Sequence, residues 1–330
     1  MVGTKMYFLV APNITVYDTA AKTWSSFSAA AAIAGMKDGL SLAGVEGPPG
    51  LAQDYLVVSG GGTNRVVSYS IATGKWTAMK GTLHANQNTC SVGCEGLFYT
   101  MTGNFKKEDS GGGLGKPADR QIYAYNLTTG AVFANNGEKT RGGAACACGE
   151  IGGPTPFFNP HDVFFSGGFS DGGMSAQVEV WRYPLARRGE PKLSMGHDVQ
   201  YLGGAGCGGM AVFAGGADGS TLYNTVTVWP ANLTDPATDK PHQFALPAGL
   251  RMPRVGCVAG RYAVISGGTA GTAGCNKAAY VLDTAALPAA GSKLPLVGTL
   301  NATGMVAVAT SLHGDAIGFF DGTTLDTFHL

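Results

Sequence analysis

The sequence predicts an all-β chain built from one repeated unit, and three observations carry that prediction. An apolar run that stops at glycine recurs as YLVVSGGG, LFYTMTGN, DVFFSGGF, MAVFAGGA, YAVISGGT and DAIGFFDG, with an N-terminal variant MYFLVAPN. Each is followed by an alternating run rich in Val, Tyr and Trp: NITVYDT, RVVSYSI, QIYAYNL, QVEVWRY, TVTVWPA, AAYVLDT and TLDTFHL. Glycine fills 52 of 330 positions, well above a usual share of about 7%, which suits many turns and close backbone approaches.

Strict alternation is the mark of a strand with unlike faces, and the Gly and Asp-Gly segments between runs are turns. Two more strands complete most units. One follows the alternating run, with Trp24 in KTWSSF, Trp76 in KWTAM, Phe133 in AVFAN, and HQFALP and LPLVGTL later on. The other precedes the glycine run and is made of small residues: TCSVGCEG, GAACACGE, GAGCGG, VGCVAG and MVAVATS. Four strands per unit, at a spacing of roughly 50 residues, is the pattern of a β-propeller blade. Blades taper toward an axis, so the innermost strand needs Gly, Ala and Cys. The outer strands have room for Tyr and Trp, whose rings fill the wedge between blades.

These residues resemble the kelch-repeat family of propellers. Its blade signature is a hydrophobic strand ending in Gly-Gly, then a Tyr, then a Trp separated from that Tyr by six residues. Gly60, Gly61, Tyr69 and Trp76 match it, as do Tyr17 and Trp24. Gly167 and Gly168, Gly215 and Gly216, and Gly267 and Gly268 match its first half, while Trp181 and Trp229 sit on the alternating strand instead. The expectation is a single kelch-type propeller domain over residues 1–330 with seven blades of four-stranded antiparallel sheets. Six blades is the alternative, because the first unit lacks its inner strand and the last its outer one.

Composition narrows the partners. Lys plus Arg and Asp plus Glu are 22 each and charged residues are only 13%, so no overall field draws in nucleic acid. No run approaches the roughly 18 apolar residues of a membrane span. The N-terminus MVGTKMYFLVAPN has no apolar stretch followed by a small-residue cleavage site, and seven cysteines are an odd number for a disulfide framework. Reduced thiols in a cytoplasmic or assembly-associated protein are therefore expected over secretion. Against that stand four Asn-x-Thr motifs, at Asn13, Asn126, Asn232 and Asn301, which are glycosylation acceptors in a secreted chain.

HANQNTCSVGCEGLFYTMTGN, which contains Cys90, is similar to the blade of galactose oxidase and related copper radical oxidases that carries their cross-linked cysteine. That resemblance implies a Tyr in the next blade, a Tyr-His pair and a further His as copper ligands. The corresponding segment EKTRGGAACACG has no Tyr, and the chain has no Tyr-His dipeptide. The copper site is not expected, nor is any other cofactor. Cys94, Cys148, Cys207 and Cys257 occupy like places on inner strands, and Cys90 and Cys146 share a face with their neighbours. On one face such thiols suit a soft metal, a disulfide between blades, or plain packing as small hydrophobes. Six scattered histidines make no ligand spacing, and GGGLGKPAD at 111–119 lacks the Ser or Thr and the helix of a phosphate loop. It reads as a long surface loop, as does ANLTDPATDKPHQ at 231–243. The expected role is a non-catalytic scaffold that binds a protein or joins an assembly. A secreted glycan-binding propeller and a diverged copper-oxidase-like enzyme are the alternatives.

Overall fold

The computed structural model describes residues 4–37, 39–46, 54–81, 90–94, 96–101, 121–136, 143–150, 161–170, 173–182, 186–187, 193–230, 240–271, 274–302, 307–310 and 316–329. Every regular element among them is a strand. The first sheet holds β1 (Lys5–Val10), β2 (Asn13–Asp18) and β3 (Thr23–Ser28), and the second β4 (Leu40–Val45), β5 (Tyr55–Gly60), β6 (Val66–Ser70) and β7 (Lys75–Ala78). The third holds β8 (Ser91–Cys94), β9 (Leu97–Met101), β10 (Gln121–Asn126) and β11 (Val132–Asn136). The fourth has six strands: β12 (Ala145–Glu150), β13 (His161–Ser166), β14 (Phe169–Ser170), β15 (Gly173–Arg182), β16 (Ala186–Arg187) and β17 (Leu193–Val199).

In the fifth sheet, β18 (Gly203–Cys207) and β19 (Met210–Ala214) are followed by a small hairpin, β20 (Ala217–Asp218) and β21 (Thr221–Leu222), and then by β22 (Thr225–Trp229) and β23 (His242–Ala245). The sixth holds β24 (Arg254–Val258), β25 (Tyr262–Ser266), β26 (Ala278–Asp283) and β27 (Leu296–Thr299). The last holds β28 (Ala307–Thr310), β29 (Ala316–Phe320) and β30 (Leu325–His329).

These antiparallel sheets are the blades of a β-propeller, six in number when the terminal sheets are taken as one closing blade. The other five each have four or more strands. The expected seven is reached only by counting the terminal sheets apart, and each of those is a strand short. Among the described residues β1–β3 has no inner strand and β28–β30 no outer one, as the sequence pattern implied. β1 lies beside β28, and the Phe8 and Phe320 rings meet at 5.2 Å, joined by Met6 and Ala316 in one buried cluster.

The chain divides into two compact units, one of residues 1–28, 147–160 and 201–330, the other of 29–146 and 161–200. In the first, Val212, Val226, Val228 and Phe244 of the fifth sheet pack on Ala263, Ile265 and Leu282 of the sixth. In the second, Ala43, Val57 and Val66 pack on Phe98, Tyr123 and Tyr125. Face-to-face stacking of this kind buries both sides of the middle strands. That is why β5 and β9 are buried almost end to end rather than on alternating residues. Each fully buried aliphatic or aromatic side chain contributes about 1.5–3 kcal/mol.

The repeated Tyr and Trp are cross-strand partners. Tyr69 pairs with Trp76 and Tyr17 with Trp24, with ring centroids 5.0 and 4.9 Å apart and planes at 50° and 49°. Identical geometry in two blades shows the spacing to be a packing device. The glycine ending β25 is conformational as well as small: Gly268 has φ +74°, and a Cβ there would sit 2.6 Å from the Arg251 carbonyl oxygen.

Candidate functional site

Innermost strands lie so close that at some of their glycines a Cβ has no room. A Cβ on Gly93 of β8 would overlap the Gly44 carbonyl of β4, and one on Gly206 of β18 would overlap the Cys148 carbonyl of β12. The same proximity brings cysteines within bonding reach. Cys90 is disulfide-bonded to Cys146, with Cα atoms 5.7 Å apart, and Cys207 to Cys257, with Cα atoms 5.2 Å apart. Cys94 and Cys148 are likewise disulfide-bonded, and Cys275, half-buried in a loop, is the free thiol. The structure thus has bonded cystines where reduced thiols were the expectation; the odd count reflects one cysteine, Cys275, outside the disulfides. Cys90 ends at Cys146, in the segment where the copper-oxidase resemblance called for a Tyr. Sulfurs joined to each other carry no thiolate for a soft metal, and among the described residues no group of three or more His, Cys, Asp or Glu is placed to hold one.

Other sequence candidates are dispersed. His197 lies on β17, His242 begins β23 and His329 ends β30. His84, His313, the loop 111–119 and residues 231–239 lie outside the described residues, and so does Asn232. Asn13 is exposed at the start of β2. Asn126 is half-buried, its Oδ1 accepting from the Thr128 and Thr129 amides at 3.1 and 2.9 Å. Asn301 donates from Nδ2 to Asp326 Oδ1 at 2.7 Å. Trp181 and Trp229 are buried on β15 and β22, as core rather than contact residues. Tyr125 buries a hydroxyl with no hydrogen-bond partner among the described residues. Burial, and then the neighbouring Tyr123, pushes its pKa far above the ordinary tyrosine range, so it remains a neutral phenol.

The arrangement most suited to recognition was not singled out by the sequence. Tyr201, just before β18, and Arg251 and Met252, just before β24, come together at one end of these blades. The Arg251 guanidinium carbon lies 4.3 Å from the centroid of the Tyr201 ring, within the range of a cation–π contact. Its backbone is fixed by paired bonds with Thr269, Arg251 N to Thr269 O at 2.9 Å and Thr269 N to Arg251 O at 2.8 Å. Met252 N donates to Tyr201 O at 2.7 Å, and both residues have φ of +57°, a conformation that non-glycine residues adopt only where surroundings enforce it. Neighbouring loops are tied in by Gly216 N to Leu250 O at 2.7 Å and Asn276 N to Gly268 O at 2.8 Å. Arg251 itself is exposed, and among the described residues its guanidinium has no carboxylate or carbonyl partner. An exposed cation is thereby held on an aromatic plane with its N–H donors open to a ligand.

The fold is that of a β-propeller, with Arg251 presented on Tyr201 by the loops that precede β18 and β24. No protein-family model and no curated protein matches the chain. The solved structure of YjhT is similar in fold, with a TM-score of 0.55 over 90% of this chain and 97% of that one, at 14% sequence identity. Likeness at that identity concerns the fold alone.

Proposed function

We propose that this chain is a non-catalytic propeller of the kelch type, related to the galactose oxidase superfamily without its copper radical site, and that it acts as a scaffold binding a partner protein. Arg251 carries the reading. It is a cation preset on Tyr201 by main-chain bonds, so little conformational freedom is lost when an acidic side chain of a partner pairs with it. Cys90 lends no support to a diverged copper-oxidase-like enzyme, because its sulfur is bonded to Cys146.

A secreted glycan-binding propeller is the second reading, favoured by the cystines, which belong in oxidising compartments. Co-purification from the native source, comparing wild type with Arg251→Glu, tests the first reading. A defined set of proteins recovered with wild type and depleted at least tenfold with the variant is expected. Equal recovery of those proteins would sink it, and Arg251-dependent capture of acidic glycans with no protein would replace it with the second.

A further inference from the structure

We propose that Asn13 carries an N-linked glycan and that Asn301, in the same Asn-x-Thr motif, stays unmodified. Two independent features lead there. The first concerns compartment: every cysteine but Cys275 is disulfide-bonded. Cystines at this frequency persist where the surroundings are oxidising, which is also where Asn-x-Thr acceptors meet the glycosylation machinery.

The second is what each side-chain amide touches. Asn13 follows the Ala11–Pro12 turn joining β1 to β2, is exposed, and has no side-chain hydrogen bond among the described residues. Its backbone is paired with Val10 and Ser28, so the strand is anchored while the carboxamide stays in solvent. Asn301 is exposed too, but its amide nitrogen is committed. Nδ2 donates to Asp326 Oδ1 at 2.7 Å, while the Asn301 and Ala302 backbone amides donate to Asp326 Oδ2 at 2.8 and 3.0 Å. Asp326 is 8% exposed. A sugar on Asn301 Nδ2 would replace one of its two N–H groups and crowd the buried carboxylate that Nδ2 bonds, whereas the Asn13 amide has no such neighbour among the described residues.

The transfer is a simple displacement. Nδ2 of Asn13 attacks C1 of an oligosaccharide carried on a lipid diphosphate. A C1–N bond forms as the C1–O bond breaks, the lipid diphosphate leaves, and the Nδ2 proton passes to a base of the transferring enzyme. A bulky, hydrated glycan then shields the β1–β2 turn.

Glycopeptide mapping of the protein purified from its native source without reductant, before and after peptide N-glycosidase treatment, tests this. Most copies of the Asn13 peptide are expected to carry glycan and to show Asp at that position after treatment, with the Asn301 peptide unmodified throughout. In a secretory expression host, Asn13→Gln and Thr15→Ala should each remove that glycan alone, Asn13→Gln leaving the strand's threonine in place. An unmodified Asn13, a glycan on Asn301 of the folded protein, or fully reduced cysteines in the native material would each overturn the proposal.

Discussion

Breaking the Cys207–Cys257 bond is expected to cost about 4 kcal/mol of folding stability. The bond joins β18 to β24 across a sequence separation of 50 residues, and neither the free Cys275 nor any disulfide-bonded cysteine falls within that loop. Removing the cross-link restores loop freedom to the unfolded chain. The chain-entropy relation puts this at about 14 cal/mol/K for such a loop, or about 4 kcal/mol at room temperature. The double variant Cys207→Ala, Cys257→Ala keeps small residues on the inner strands, so steric conflict adds nothing. Urea unfolding followed by fluorescence of the buried Trp181 and Trp229 reads the change. Cys275→Ala, outside the framework, should stay within about 0.5 kcal/mol of wild type. Alkylation of unfolded, unreduced protein should label Cys275 alone. A double variant as stable as wild type, or labelling of Cys207 without reductant, would refute the stapling argument.

Two further outcomes follow from local geometry. Gly206→Ala forces a methyl into the Cys148 carbonyl and should destabilise by about 1–3 kcal/mol in the same assay, because close-packed main chain has nowhere to move. Asp283 is held below its ordinary value of 3.8, first by the hydrogen bond from Arg261 and then by the Ala285 amide, with desolvation opposing. A depressed folded pKa stabilises above 3.8 and is lost as pH falls through the lower folded value. Wild type should therefore lose more stability than Asp283→Asn as pH drops below about 4. The effect should shrink in high salt, since the pair is solvent-facing; identical acid profiles would count against it.

Much of the fold was legible because blade strands are specified locally. The outer-strand segments around Trp24, Trp76, Phe133, HQFALP and LPLVGTL all form outer strands, and the five small-residue runs all form inner ones. β4 escaped notice: LSLAGV lacks the Cys and the glycine density that marked the other inner strands, although Gly44 makes the same close approach. The hairpin β20–β21 also gave no signal, since four paired residues are too short for a period to show.

Sequence alone determined the all-β class, the repeat, the placing of Tyr and Trp on adjacent strands and the small inner strands, because each rests on side-chain periodicity within a few residues or on a volume limit that every copy must meet. Tertiary structure decided the rest. Cysteines 50 and 56 residues apart become bonded partners only when neighbouring blades stack. Arg251 meets Tyr201 only because consecutive blades bring their entry loops together. Asn13 and Asn301, identical as motifs, differ because a buried carboxylate from β30 reaches one and not the other. A chain's local pattern sets what each segment can become, but which distant group stands beside a given side chain depends on how the segments pack.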